Sequence, residues 1–216
     1  MKSEHRICHS QFGEDLAIEA IIQMHRGLAP GTYVDVGAFD PWQYSNTALL
    51  HTQHGWSGIN IDPNADAIGR FDLARPNDIN IASLVGDPSV EREYVRFNHP
   101  GVNSADPGMV ALQTTEGRPF HAICKQVMRA VPLSDILASH LGDRSVDLLN
   151  IDAEGMDLEV LESSDWARYR PLLIAVEVHS LVLDRPEESP THRLLKSHGY
   201  IWVSHVFATS LFISRR

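Results

Sequence analysis

Residues 32–41 read Thr32-Tyr33-Val34-Asp35-Val36-Gly37-Ala38-Phe39-Asp40-Pro41. A short apolar run meets a carboxylate, a glycine and a turn. Such a run, bounded by Gly and Pro, reads as a buried strand entering a loop. Glycine at that exit lets the backbone approach a ligand with no Cβ in the way. The stretch is not a dinucleotide fingerprint. After Gly37 come Ala38-Phe39-Asp40-Pro41, without the further glycines that cradle a pyrophosphate. A nucleoside that carries no phosphate suits this turn better. Taken alone, an ordinary strand-to-loop turn has the same sequence.

Upstream, the pattern predicts a helix over 13–25. Ser10 caps it, Glu14 and Asp15 occupy its first turn, Leu16, Ala20, Ile21 and Met24 form its apolar face, and Gly27 ends it. Downstream, Asn46 caps a helix over 46–54, 56–61 is a strand stopped by Asp62-Pro63, Asn64 caps a helix to 73, and 78–85 is a third strand. The alternation over 91–98 suits an edge strand and 123–131 another strand, with a short capped helix over 134–141. Between these strands, 99–121 is rich in Gly, Pro, Asn, Ser and Thr and reads as a long loop, a lid or acceptor loop. Regularity returns with a strand over 146–151, a helix over 156–162, a strand over 172–178, a helix over 190–198 and a hairpin from 200–206 and 210–214. Strands alternating with helices predict an α/β fold: a doubly wound, mostly parallel seven-stranded sheet, helices on both faces, and a C-terminal antiparallel hairpin. No repeat or linker divides the chain, so 1–216 is expected to be one domain.

Composition narrows the function classes. The chain is 43% hydrophobic, enough for a sizeable core, and its formal net charge is −10. Binding nucleic acid through phosphates needs clustered Lys and Arg, and the longest basic run is Arg215-Arg216, so nucleic acid is not the expected partner. No apolar run approaches the roughly 20 residues of a membrane helix. The N-terminal MKSEHRICHS has no apolar segment of a secretory signal. Cys8 and Cys124 make neither a disulfide framework nor a zinc cluster. A soluble, cytoplasmic protein with free thiols is the expectation.

In a doubly wound sheet, ligands bind beyond the carboxyl ends of the strands. The polar residues expected there are Asp35 and Gly37, Asp62, Ser83, Asp152 and Glu154, and Glu177 and His179. Asp62 can accept hydrogen bonds from the vicinal hydroxyls of a ribose, or can merely open the Asp-Pro-Asn turn. Val176-Glu177-Val178-His179 alternates, so Glu177 and His179 point the same way, and Asp152 and Glu154 share that spacing. Against a functional reading, Glu154 can simply sit in a first helical turn and His179 can be a surface cap. Trp42 and Tyr44 follow the first strand closely enough to border a ligand; Trp56 and Trp202 read as packing residues.

Two further segments are more specific. Ser10-Gln11-Phe12-Gly13-Glu14-Asp15 looks like an S-Q-x-G-E-D signature. Asn150-Ile151-Asp152-Ala153-Glu154-Gly155-Met156-Asp157-Leu158-Glu159-Val160-Leu161 looks like I-D-x-E-G-x-E-x-x-V-L, with Asp157 where Glu is common. Both signatures, in order around Asp35-Val36-Gly37-Ala38, resemble the FkbM-type methyltransferases of the class I fold, over about 10–214. The resemblance implies an S-adenosylmethionine-dependent O-methyltransferase acting on a hydroxyl of a sugar, a polysaccharide precursor or a secondary metabolite. It implies Gln11 near the cofactor, Asp35 and Gly37 near its methionine part, Asp62 on the ribose and Ser83 beside the adenine. Ser45 is expected as a further cofactor contact, and the resemblance implies that Asp152 lines the methyl-transfer site.

A sugar hydroxyl needs a base or a metal ion to lose its proton. Either His179 is that base, oriented by a carboxylate among Asp152, Glu154 and Glu177, or Asp152, Glu177 and His179, or a subset of them, hold Mg2+ or Mn2+. The partner is expected to be a small-molecule acceptor, a sugar or glycoside, and an exposed lid with a terminal hairpin leaves room for a homodimer. A non-catalytic binding or regulatory module on the same fold is the alternative.

Overall fold

In the computed structural model, which describes residues 7–179 and 181–215, β1 (Thr32–Val36) lies inside a seven-stranded sheet. Residues 1–6 of the polar N-terminal stretch and Arg216 of the terminal arginine pair lie outside the described residues. The other strands of the sheet are β2 (Ser57–Asp62), β3 (Ile79–Ala82), β6 (Leu148–Ile151), β7 (Leu173–Glu177), β8 (Tyr200–Val206) and β9 (Thr209–Ser214), in the order β3-β2-β1-β6-β7-β9-β8. β1 pairs in parallel with β2 and β6, and β3 and β7 extend the parallel run on either side. The expected hairpin is present, and β9 slots antiparallel between β7 and β8.

Alternation along the strands divides the core. Tyr33 and Leu148 point to the face covered by α1 (Glu14–Arg26) and α2 (Ala48–His54). Val34, Val36, Leu149 and Ile151 point to the other, covered by α5 (Leu133–His140), α6 (Asp157–Glu162) and α7 (Pro190–Ser197). α3 (Ala65–Ala74) packs on β2 and β3, and Asn64 caps it by accepting the Asp66 N–H. No helix among the described residues is long and apolar enough to cross a membrane.

Several local expectations are corrected. In α1 the buried stripe is Ile18, Ile21 and Ile22, whereas Met24 is 74% exposed and Ala20 also faces out. At about 100° per residue, Leu16, Ala20 and Met24 fall away from the Ile18–Ile22 line. Ser10 does act as the cap, its hydroxyl accepting the N–H groups of Gly13 (3.1 Å) and Asp15 (3.2 Å). Asn46 does not cap α2; its amide donates to Asn150 Oδ1 at 3.0 Å instead. β4 (Glu91–Phe97) is not an edge of the main sheet. It pairs antiparallel with β5 (Ala122–Arg129) in a separate two-stranded ribbon. The 99–121 segment is no bare loop: it holds a 3-10 turn, Pro100–Val102, and α4 (Pro107–Gln113). Asp106 caps α4 at the Met109 N–H (2.8 Å) and Pro107 opens it, the pairing that starts a helix despite poor composition.

Candidate active site

A cleft opens where β1, β2, β6 and β7 end, at the point between β1 and β6 where the winding reverses. Gln11, Asp35, Gly37, Ser45, Asp62, Asp152, Glu154 and Glu177 all line it. Ser83 does not; its hydroxyl donates to the Leu84 carbonyl at 3.0 Å, and Leu84 and Val85 line the cleft in its place. The reason is that β3 stops at Ala82, so the chain has already turned at Ser83. Tyr44 lines the cleft beside Phe39, whereas Trp42 lies under the Arg75 guanidinium, 5.5 Å from its ring centroid.

The floor is a buried polar network. Asp35 accepts from Thr47 Oγ1 and from Asn150 Nδ2, each at 2.8 Å. Burial raises its carboxyl above the usual range, and these two donors pull it back. Asn150 faces Asp35 across the β1–β6 register. Arg75, 1% exposed at the end of α3, donates to Thr47 Oγ1 (2.9 Å), Tyr33 Oη (3.1 Å), Ser45 Oγ (3.2 Å) and the Pro41 carbonyl. Asp78 accepts from the Gly58 N–H (3.0 Å), Asn60 Nδ2 (3.1 Å) and the Tyr33 hydroxyl. Gly37 serves the same closeness: at φ +78° a Cβ would run into the Asp152 carbonyl, so this glycine lets β1 and β6 meet.

Asp62 ends β2 facing the cleft. It accepts the Asn64 N–H at 2.7 Å and the Phe39 N–H at 3.0 Å, one on each oxygen, which leaves acceptor capacity on both. Burial pushes it up to about 6, against the pull of those two N–H groups.

At the other end of the cleft four carboxylates gather. Asp157 opens α6 and accepts the Ala153 (3.0 Å) and Gly155 (3.2 Å) N–H groups; burial raises it to about 6. Asp152 is pushed well up, first by burial, then by the charges of Glu177, Glu154 and Asp157. Glu154 rises to about 8 through burial and the charge of Glu177. Its φ is +48°, and its carbonyl accepts the Ser104 hydroxyl at 2.7 Å. His179 stands on the rim, its Nε2 3.0 Å from Glu177 Oε2, and that hydrogen bond raises it to about 9. At neutral pH it is therefore a cation, which does not suit the base role expected of it. One ligand atom each of Glu154, Glu177 and His179 lies within 4.8 Å of the others. In that grouping Glu154, not Asp152, accompanies Glu177 and His179.

The ribbon and the segment after it form the remaining wall through Tyr94, Pro100, Gly101, Asn103, Ser104 and Ala105. Backbone bonds in both directions between Val95 and Ser104 fasten this wall (2.8 and 3.1 Å). Reading strand ends singled out the carboxylates, but missed Asn46, Arg75, Asn150, Asp157, Ser104 and Tyr94. Asn150 and Asp157 stood within the quoted signature; Arg75, Ser104 and Tyr94 carry no local signal.

Some solved structures are similar. One is the precorrin-6y C5,15-methyltransferase from Geobacter metallireducens GS-15, 13% identical, covering 100% of this chain and 97% of that one with a TM-score of 0.44. Another is the small RNA methyltransferase HEN1, 15% identical, covering 99% of this chain and 27% of that one with a TM-score of 0.40. No curated protein matches the chain. A family model described as the methyltransferase FkbM domain matches residues 35–201, from the Asp35 end of β1 into β8. The chain belongs to the FkbM methyltransferase domain family, and its methyl donor is accordingly S-adenosylmethionine.

Proposed function

We propose that the chain transfers the methyl group of S-adenosylmethionine to a hydroxyl oxygen of a small acceptor, a sugar, glycoside or secondary metabolite. The observation that carries this reading is the gathering of Asp152, Glu154 and Glu177 at one end of the cleft, with cationic His179 on its rim. The donor set fits the cofactor. Asp62 has acceptor capacity for a ribose diol, Leu84, Val85 and Tyr94 offer an apolar shelf for a purine, and Gln11 and Ser45 supply polar contacts. Bound there, the cofactor supplies a methyl group activated on a sulfonium, and an acid-rich cleft favours that positive charge.

The acceptor oxygen must sit about 3 Å from the methyl carbon, in line, with water excluded. Its proton must leave as the bond forms. In this reading Glu154 accepts that proton in its ionised form, and because burial holds its carboxyl at about 8, turnover is expected to rise with pH through that value. Asp152 and Glu177, adjacent at the strand ends, orient the acceptor, and His179 offsets the negative charge beside Glu177. The net charge of −10 favours a small neutral acceptor over a nucleic acid. Free Cys8 and Cys124, both exposed, suit a reducing cytoplasm. Exposed Ile123 and Val127 on the ribbon support a homodimer joined there.

A second reading is favoured by one observation, the convergence of Glu154, Glu177 and His179. There, Mg2+ or Mn2+ on these three residues would hold the deprotonated acceptor. Release of S-adenosylhomocysteine in the presence of hydroxylated acceptors tests both. Glu154→Gln is expected to lose on the order of 100-fold or more in turnover while still binding S-adenosylhomocysteine. EDTA is expected to leave the wild-type rate unchanged. Full activity in Glu154→Gln removes the base assignment, and loss with EDTA that Mg2+ restores favours the metal.

A further inference from the structure

The β8–β9 turn has two residues, Phe207 and Ala208, because Val206 pairs with Thr209. Phe207 is the first of them and takes φ +53°. Two-residue hairpin loops place Gly, Asn or Asp where φ is positive, since a bulky side chain there is strained. The strain is not recovered by burial: Phe207 is 71% exposed. Its ring instead stacks on that of Phe12, centroids 3.9 Å apart and planes 28° from parallel, and Phe12 is itself 46% exposed. Phe12 is held in place by its N–H, which donates to Glu14 Oε2 at 2.8 Å. The turn is held too, with the Ala208 carbonyl accepting the Val178 N–H at 2.8 Å.

Both attachments lie beside residues of the cleft. Gln11, beside Phe12, lines the cleft, and Thr209 pairs with Glu177, which lines it as well. The pair, strained at Phe207 and exposed at both rings, thus stands at the sheet edge where β7 ends in Glu177. Strained residues persist where function holds them. An aromatic face offers an apolar surface, while the carboxylates offer many hydrogen-bond acceptors. A pyranose matches both, with an apolar C–H face and a rim of hydroxyl donors. A flat aromatic acceptor with one or two hydroxyls would leave most of those carboxylate lone pairs without donors.

We infer that Phe207, backed by Phe12, is the platform on which the C–H face of a pyranose acceptor stacks, its hydroxyls turned toward Glu154 and Glu177. This inference rests on the methyltransferase reading and names its acceptor class and a specificity-determining residue.

Saturation-transfer NMR on the full chain saturated with S-adenosylhomocysteine tests it. The probes are methyl β-D-glucopyranoside, methyl β-D-galactopyranoside, methyl α-L-rhamnopyranoside and, as the flat comparator, catechol. Transfer to the ring C–H protons of at least one pyranoside is expected. It should fall at least about fivefold in Phe207→Gly and Phe207→Asn, residues suited to the turn, and return in Phe207→Tyr. The melting temperature of Phe207→Gly should not fall, and its S-adenosylhomocysteine affinity should stay within about twofold, as expected of a residue outside the cofactor contacts. Transfer to catechol alone, no transfer to any pyranoside, or undiminished transfer in Phe207→Gly overturns the inference while the cofactor reading stands. Failure of the wild type to bind S-adenosylhomocysteine overturns both, and calorimetry on the same sample separates that case.

Discussion

Asp62 has two competing tasks, staying folded under a buried surface and holding a diol as an anion. Burial lifts its carboxyl to about 6 from an ordinary 3.8. The folded chain therefore holds this proton more tightly than the unfolded chain does. Its contribution to stability is complete below pH 3.8 and is lost as pH rises through about 6. A ribose diol is best accepted by the ionised form, so ligand binding runs the other way. From about pH 5 to about pH 7 the ionised fraction rises about tenfold. S-adenosylhomocysteine is expected to bind about tenfold more tightly across that interval, and Asp62→Asn should bind weakly with little pH dependence. Calorimetry in matched buffers measures this; an equal pH slope in wild type and variant would assign the dependence to another group.

At the scale of elements, the end of α3 ties the first half of the sheet together. Arg75 reaches from α3 to Tyr33 on β1, to Ser45 and Thr47 before α2, and to the Pro41 carbonyl in the turn after β1. Its charge holds down the carboxyl of buried Asp35, and through the Tyr33 hydroxyl it is linked to Asp78. Arg75→Met is expected to cost about 3–5 kcal/mol, read by denaturant unfolding, because it removes the cation near buried Asp35 and the donor to Tyr33, Ser45, Thr47 and the Pro41 carbonyl. A cost below about 1 kcal/mol would show the network to be dispensable. Much of this level was legible. Asp35, Asp62, Asp152 and Glu177 close apolar runs, and a parallel sheet brings such ends to one edge. The rest needed tertiary information. A lone arginine after a helix reads as a surface residue, and nothing near Asn46 announces that it bonds Asn150 rather than capping α2. In 99–121 the count of Gly, Pro and Thr hid α4, which depends on two residues, Asp106 and Pro107. The slot of β9 between β7 and β8 is a pairing choice that periodicity along one strand cannot express.

For the whole molecule, three separate parts of the chain enclose one cleft: the 10–15 segment, the strand ends and the ribbon with its following wall. In the proposed account, cofactor contacts belong to the strand ends, and acceptor contacts to the ribbon wall and the Phe12–Phe207 pair beside the cleft. An acidic surface with an acid-lined cleft draws cations by long-range attraction, a preference that salt weakens. The measurement that bears most directly on the central claim is calorimetric titration of S-adenosylhomocysteine into the full chain, once with Mg2+ and once with EDTA. The expected result is one site per chain with affinity on the order of micromolar in both buffers. No heat of binding in either buffer would contradict the methyl-donor site, and the fold would then serve a non-catalytic role.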